Sequence, residues 1–62
     1  MNFTEAFDAA YKGSKVRRSV WKPGGYLFVD DVTIRVHYPN GIRDVYLFNK
    51  EEFYATDWKV VE

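Results

Sequence analysis

Val32-Thr33-Ile34-Arg35-Val36-His37-Tyr38-Pro39-Asn40-Gly41-Ile42-Arg43-Asp44-Val45-Tyr46-Leu47-Phe48 is the stretch that decides the fold. Two runs rich in β-branched and aromatic residues, Val32 to Tyr38 and Ile42 to Phe48, flank Pro39-Asn40-Gly41 and read as a β-hairpin. Proline presets the second turn position, asparagine suits the third, and Gly41 supplies the positive φ of a bulge, so the loop has three residues. That loop length sets the register: Tyr38 opposite Ile42, Val36 opposite Asp44, Ile34 opposite Tyr46 and Val32 opposite Phe48. The face so formed is mostly apolar. The other face, with Thr33, Arg35, His37, Arg43, Val45 and Leu47, is only half polar, which leaves room for cover by a second subunit.

A second hairpin is expected upstream, with strands Val16 to Trp21 and Tyr26 to Asp30 around the turn formers Lys22-Pro23-Gly24-Gly25. Trp58 to Val61 forms a short final strand. Asn49 to Ala55 forms a helical turn, with Asn49 as cap and Glu51 and Glu52 in its first turn.

The N-terminus changes period. Phe3, Ala6, Phe7, Ala10 and Tyr11 recur at helical spacing, while Glu5, Asp8 and Lys12 fall on the other side. Asn2 caps this helix with Glu5 as capping-box partner, Asp8 pairs with Lys12 at i+4, and Gly13 provides a left-handed stop. A helix over about Phe3 to Lys12 is too short to stand alone, so its stripe must lie on a sheet. The expected fold class is α+β: an N-terminal helix packed on a four- to five-stranded antiparallel sheet, in a single domain spanning residues 1–62.

Composition sets the limits. A chain of 62 residues buries only about 60% of its unfolded surface and gains from self-association. There is no cysteine, so no disulfide or thiolate site supplements the core, and a reducing compartment is its natural home. With 47% hydrophobic and 19% aromatic residues the chain is too apolar for a disordered tail. No long apolar run or charged leader points to a membrane span or a signal peptide, so the Asn2-Phe3-Thr4 sequon is expected to be accidental. Nine basic and nine acidic side chains cancel, which argues against general nucleic-acid binding. The charge is nonetheless segregated. Lys12, Lys15, Arg17, Arg18 and Lys22 occur with no acid among them, while Asp44, Glu51, Glu52, Asp57 and Glu62 crowd the C-terminal third.

Catalysis finds little here. His37 is the single histidine and Ser14 and Ser19 the only serines, so a nucleophile with its base and orienting group would have to be built around one imidazole. His37 is expected on an exposed strand near Arg43. Asp30-Asp31 and Glu51-Glu52 are expected as solvated acids rather than metal ligands, because adjacent strand residues point oppositely and helix starts welcome acids. No catalytic residue, metal or cofactor is therefore expected.

The segment Gly13 to Trp21 is more informative. In an extended chain Val16, Arg18 and Val20 share one face and Arg17, Ser19 and Trp21 the other. Arg18 thus interrupts an apolar face, where an unpaired guanidinium is costly. It either bridges Asp57 internally or waits for a phosphate. Trp21 is either a core anchor or a wall on which a base stacks. For Trp58 the expectation is burial against Phe3, Phe7, Ala10 and Tyr11, with Asp57 turned toward solvent or Arg18.

Phe3-Thr4-Glu5-Ala6-Phe7, the stop Gly13-Ser14-Lys15-Val16, then Arg18, Trp21, the glycine-containing turn, Tyr26-Leu27 and Ala55-Thr56-Asp57-Trp58-Lys59-Val60-Val61 resemble the small phage proteins of the second Thoeris anti-defence family. The usual pattern there is a short helix ending in Gly-Lys-Lys-Val, an arginine two residues on, a tryptophan three further and a terminal Asp-Trp strand. The likeness covers both ends, about half the chain. It implies an oligomeric sponge that captures cyclic nucleotide immune signals, such as cyclic ADP-ribose derivatives, without cleaving them. On that reading the ligand-binding residues are Arg17, Arg18, Trp21, Lys22 and Tyr26, the protein is a homo-oligomer, and its place is the host cell cytoplasm. The middle departs from the family's pattern: Val32 to Phe48 is a plain hairpin where members often carry a longer loop-rich insert that helps form the pocket. An alternative is an inhibitor that occludes a host defence nuclease or sensor directly through aromatic and arginine anchors. A third is a single-strand nucleic-acid binder, which the zero net charge disfavours.

Overall fold

The computed structural model describes residues 1–61. Asn2 opens the first helix, α1 (Phe3–Tyr11), with a reciprocal cap: its side chain accepts from the Glu5 amide at 2.8 Å, and its own amide donates to the Glu5 carboxylate at 2.9 Å. The helix stops at Gly13, whose φ is +106°. Gly13 N–H donates to Ala10 O and Ser14 N–H to Ala9 O, both at 3.0 Å, so the last carbonyls are satisfied by a Schellman arrangement. Ala6, Phe7 and Ala10 are buried as the helical spacing requires. Tyr11, placed by the same spacing on the buried stripe, is instead 61% exposed, because the stripe narrows where the chain turns into the sheet.

Five strands follow: β1 (Lys15–Arg18), β2 (Tyr26–Asp30), β3 (Thr33–His37), β4 (Arg43–Val45) and, after a short helix α2 (Lys50–Tyr54), β5 (Trp58–Val61). They form one antiparallel sheet in the order β4-β3-β2-β1-β5. The β3–β4 register is the one its loop dictates: Val36 faces Asp44, Tyr38 N–H donates to Ile42 O at 2.8 Å and Tyr46 N–H to Ile34 O at 3.0 Å. Gly41 carries a φ of +89°. Val32 does not reach Phe48. Asp31, at φ +59°, turns the chain tightly between β2 and β3, leaving Val32 81% exposed in the turn.

β1 is shorter than its pattern suggests. Trp21 N–H donates to Arg18 O at 3.1 Å, a turn that ends the strand. Val20 is therefore exposed rather than aligned with Val16 and Arg18, and Trp21 swings to the helix-facing side of the sheet.

The core is Ala6, Phe7, Ala10, Val16, Leu27, Val36 and Trp58. Trp58 is 1% exposed, with ring centroids 5.5 Å from Phe7, 6.3 Å from Phe3 and 5.5 Å from Trp21. The start of the chain packs beside β5: Trp58 N–H donates to Met1 O at 3.1 Å, and the terminal ammonium to Trp58 O at 2.8 Å.

Two expectations about α2 are also corrected. Glu52 is not a solvated acid: it is 5% exposed, because α2 folds back over the aromatic cluster and its carboxylate accepts from the Tyr46 hydroxyl. Asn49 precedes α2, but its side chain makes no capping bond. Glu62, counted with the C-terminal acids, lies outside the described residues. Among the described residues no helix is long and apolar enough to cross a membrane.

Candidate functional site

Cross-strand partners share a face of the sheet, and the register separates the expected site residues into two groups. Arg18, opposite Trp58, lies on the helix-facing side; Arg17, opposite Lys59, lies on the other. Because Val16 pairs with Leu27 and Tyr26 with His37, Arg17, Tyr26 and His37 follow one another across the outer face.

At the end of the sheet the β1–β2 connection leans on the β3–β4 turn. Gly25 is buried there, and a Cβ at that position would meet the Pro39 ring at 3.4 Å and the His37 carbonyl at 3.5 Å. The junction frames a half-open cleft of about 310 Å³ lined by Trp21, Lys22, Gly25, Tyr26, Val36, His37, Tyr38, Pro39 and Tyr46. Three of the five expected residues, Trp21, Lys22 and Tyr26, thus meet at one place. Among the described residues no carboxylate lines it. Trp21 both packs on the core and walls the cleft, with its ring 6.0 Å from Tyr46.

Tyr26 borders the cleft with its ring already occupied: His37 stacks on it at 4.7 Å and 17°, and the Lys15 ammonium sits 4.8 Å from its centroid. His37 also accepts from Arg43 Nε through Nδ1 at 3.0 Å, near Arg43 as the strand pattern required.

Arg18 and Arg17 stand outside the lining and support it. Arg18 Nε donates to Asp57 Oδ1 at 2.8 Å, so the internal bridge is formed. The hydrogen bond from Arg18 holds the Asp57 carboxyl below its usual range, and the same bond raises the guanidinium's pKa. Arg17 donates from a terminal guanidinium nitrogen to the Trp21 carbonyl, tethering the segment that carries the indole. Burial, followed by the hydrogen bond to Glu52, pushes the Tyr46 hydroxyl well above the ordinary tyrosine range. Tyr46 therefore stays neutral and fixed in the cleft wall.

Tyr38, Pro39 and Tyr46 complete the cleft without having been singled out as binding residues, and His37, expected to be exposed, is half-buried in its wall. The hairpin register, which puts Tyr38 and Tyr46 on one face, is the signal that could have found two of them. Among the described residues no group of His, Asp or Glu is placed to hold a metal ion.

A family model described as the Thoeris anti-defense 2-like domain (Tad2-like) matches residues 1–61. No curated protein matches the chain.

Proposed function

This chain belongs to the Thoeris anti-defense 2-like family, in the role of a phage Thoeris anti-defence protein, and from that membership we propose that it sequesters a cyclic nucleotide immune signal without cleaving it. The observation that carries the reading is the cleft at the end of the sheet, whose aromatic walls Trp21, Tyr38 and Tyr46 surround a single ammonium, Lys22, with no carboxylate in the lining. Base stacking on aromatic walls contributes about 1–3 kcal/mol per base, and a cation without a competing acid favours phosphate. Because the ring of Tyr26 is held by His37 and Lys15, stacking falls to the other three aromatics, and Tyr26 shapes the floor. Arg17 keeps Trp21 in place through its bond to the Trp21 carbonyl.

A volume of about 310 Å³ is at the lower end for small-molecule sites, which run from roughly 300 to 1,000 Å³. It takes a base and its ribose, so the remainder of a cyclic dinucleotide-sized ligand extends past the rim. A second copy of the chain closing over that rim would complete the pocket, in keeping with a homo-oligomeric sponge.

The test is native mass spectrometry after incubation with cyclic ADP-ribose derivatives, followed by heat release. Retention of intact ligand at a fixed ratio to subunits supports the reading, and at least tenfold weaker retention by folded Trp21→Ala assigns the cleft. A folded wild-type protein that retains none of them, or that releases an altered nucleotide, overturns it. Exposure of Tyr38, Ile42 and Leu47 along the β3–β4 hairpin favours direct occlusion of a host defence protein as the second reading. A stoichiometric host partner recovered with wild-type protein and lost with Ile42→Asp would support it.

A further inference from the structure

We propose that the outer face of the sheet carries a separate phosphoryl-binding site whose two arms are Arg17 and Lys59. The register sets these cations directly opposite each other on β1 and β5, an arrangement that destabilises a bare sheet. Lys15 adds a third positive charge two residues upstream on the same face. None of the three is in an ion pair among the described residues, whose bridges join Lys12 to Asp8, Arg18 to Asp57 and Arg35 to Asp30. Asp57, the acid that precedes β5, is taken by Arg18.

Arg17 and Lys59 line a shallow depression of about 280 Å³ with Val60 and Val61. Arg17 is tethered by its bond to the Trp21 carbonyl, and among the described residues its buried Nε has no acceptor. Two cations set opposite each other on neighbouring strands, neither in an ion pair among the described residues, call for an anion with several oxygens. A phosphoryl group fits because it accepts from the guanidinium fork and the ammonium together. Binding would remove the like-charge repulsion. The site lies on the face opposite α1 and does not depend on the cleft reading.

Thermal melting with pyrophosphate, ADP or chloride at matched ionic strength tests it, with affinity read by calorimetry. Pyrophosphate raises the melting temperature of the wild type above the chloride control, and ADP does the same. Lys59→Met weakens pyrophosphate binding about tenfold, the loss of one charge-assisted hydrogen bond. Lys59→Glu melts higher than wild type in anion-free buffer, because a cross-strand ion pair replaces a like-charge pair, and it no longer responds to pyrophosphate. Lys12→Met and Trp21→Ala keep the response, which separates this site from the cleft. No pyrophosphate effect beyond chloride, a response to ADP alone, a response lost in Trp21→Ala, or Lys59→Glu melting no higher than wild type would each overturn the proposal.

Discussion

Arg18 and Asp57, 39 residues apart in the chain, meet at 2.8 Å where β1 turns and β5 begins. Next to this ion pair, Ser19 donates to the Asp57 carbonyl through its amide at 3.0 Å and through its hydroxyl at 2.9 Å. The pair therefore anchors the connection that carries Trp21 into the cleft wall, and it couples the position of the candidate site to the last strand.

That coupling depends on pH. The Asp57 carboxyl is held below its ordinary value of 3.8 by the bond from Arg18, so the folded state binds its proton less tightly than the unfolded chain. The stabilisation is then complete above the ordinary value and is lost as pH falls through the lowered one. Urea unfolding at pH 7 should show Arg18→Met less stable than wild type, with the gap closing below pH about 4. A gap that persists undiminished at the acid end would mean that packing of the arginine stem, not the ion pair, is responsible.

Trp58 is the centre of the core. Its ring touches Phe3, Phe7 and Trp21, and its Nε1 donates to the Glu52 carbonyl at 3.2 Å. Trp58→Ala should cost about 3–5 kcal/mol, set against a total of roughly 3–9 kcal/mol for a chain of this length. Circular dichroism should find the variant largely unfolded. Cooperative melting near the parental temperature, with ligand retention lost, would reassign Trp58 to binding.

Tyr46 donates its hydroxyl to the carboxylate of the buried Glu52 on the apolar side of the sheet. Tyr46→Phe leaves the Glu52 carboxyl without its donor and should cost about 1–3 kcal/mol; Glu52→Gln, whose amide oxygen still accepts, should cost less. Because the hydroxyl's pKa is raised in the folded state, its contribution is present below the ordinary value of 10.0 and declines as pH climbs above it. Absorbance titration of the native protein should contain a late tyrosinate step that Tyr46→Phe removes. Should the step survive that substitution, another tyrosine is the protected one.

Asn2→Ala removes one half of the reciprocal cap at the start of α1. The expected loss is about 1 kcal/mol, read as a lower urea midpoint with an unchanged slope. Gly at the same position should lose only a few tenths, since it too adopts the extended backbone of a cap.

Much of the fold was legible because its signals are local. Asn2 with Glu5 opens a helix and Gly13 closes it through backbone bonds between residues three and five apart, and Pro39-Asn40-Gly41 sets a register that propagates by geometry from Tyr38–Ile42 to Ile34–Tyr46. Burial of Trp58 followed from the size of the side chain and the lack of other apolar surface to cover it. Three things were decided only when the chain folded. Val20 and Trp21 left the pattern of β1 because a turn bond to Arg18 outweighed continued alternation, and this bend brought Trp21 to Tyr46. Glu52 was drawn inside by the Tyr46 hydroxyl, a partner six residues away that composition does not reveal. The cleft and the Arg17–Lys59 pair exist because the Lys22–Gly25 turn meets Pro39 and β5 closes beside β1. Those contacts join segments that no local preference brings together, and they are set by the packing of the whole core.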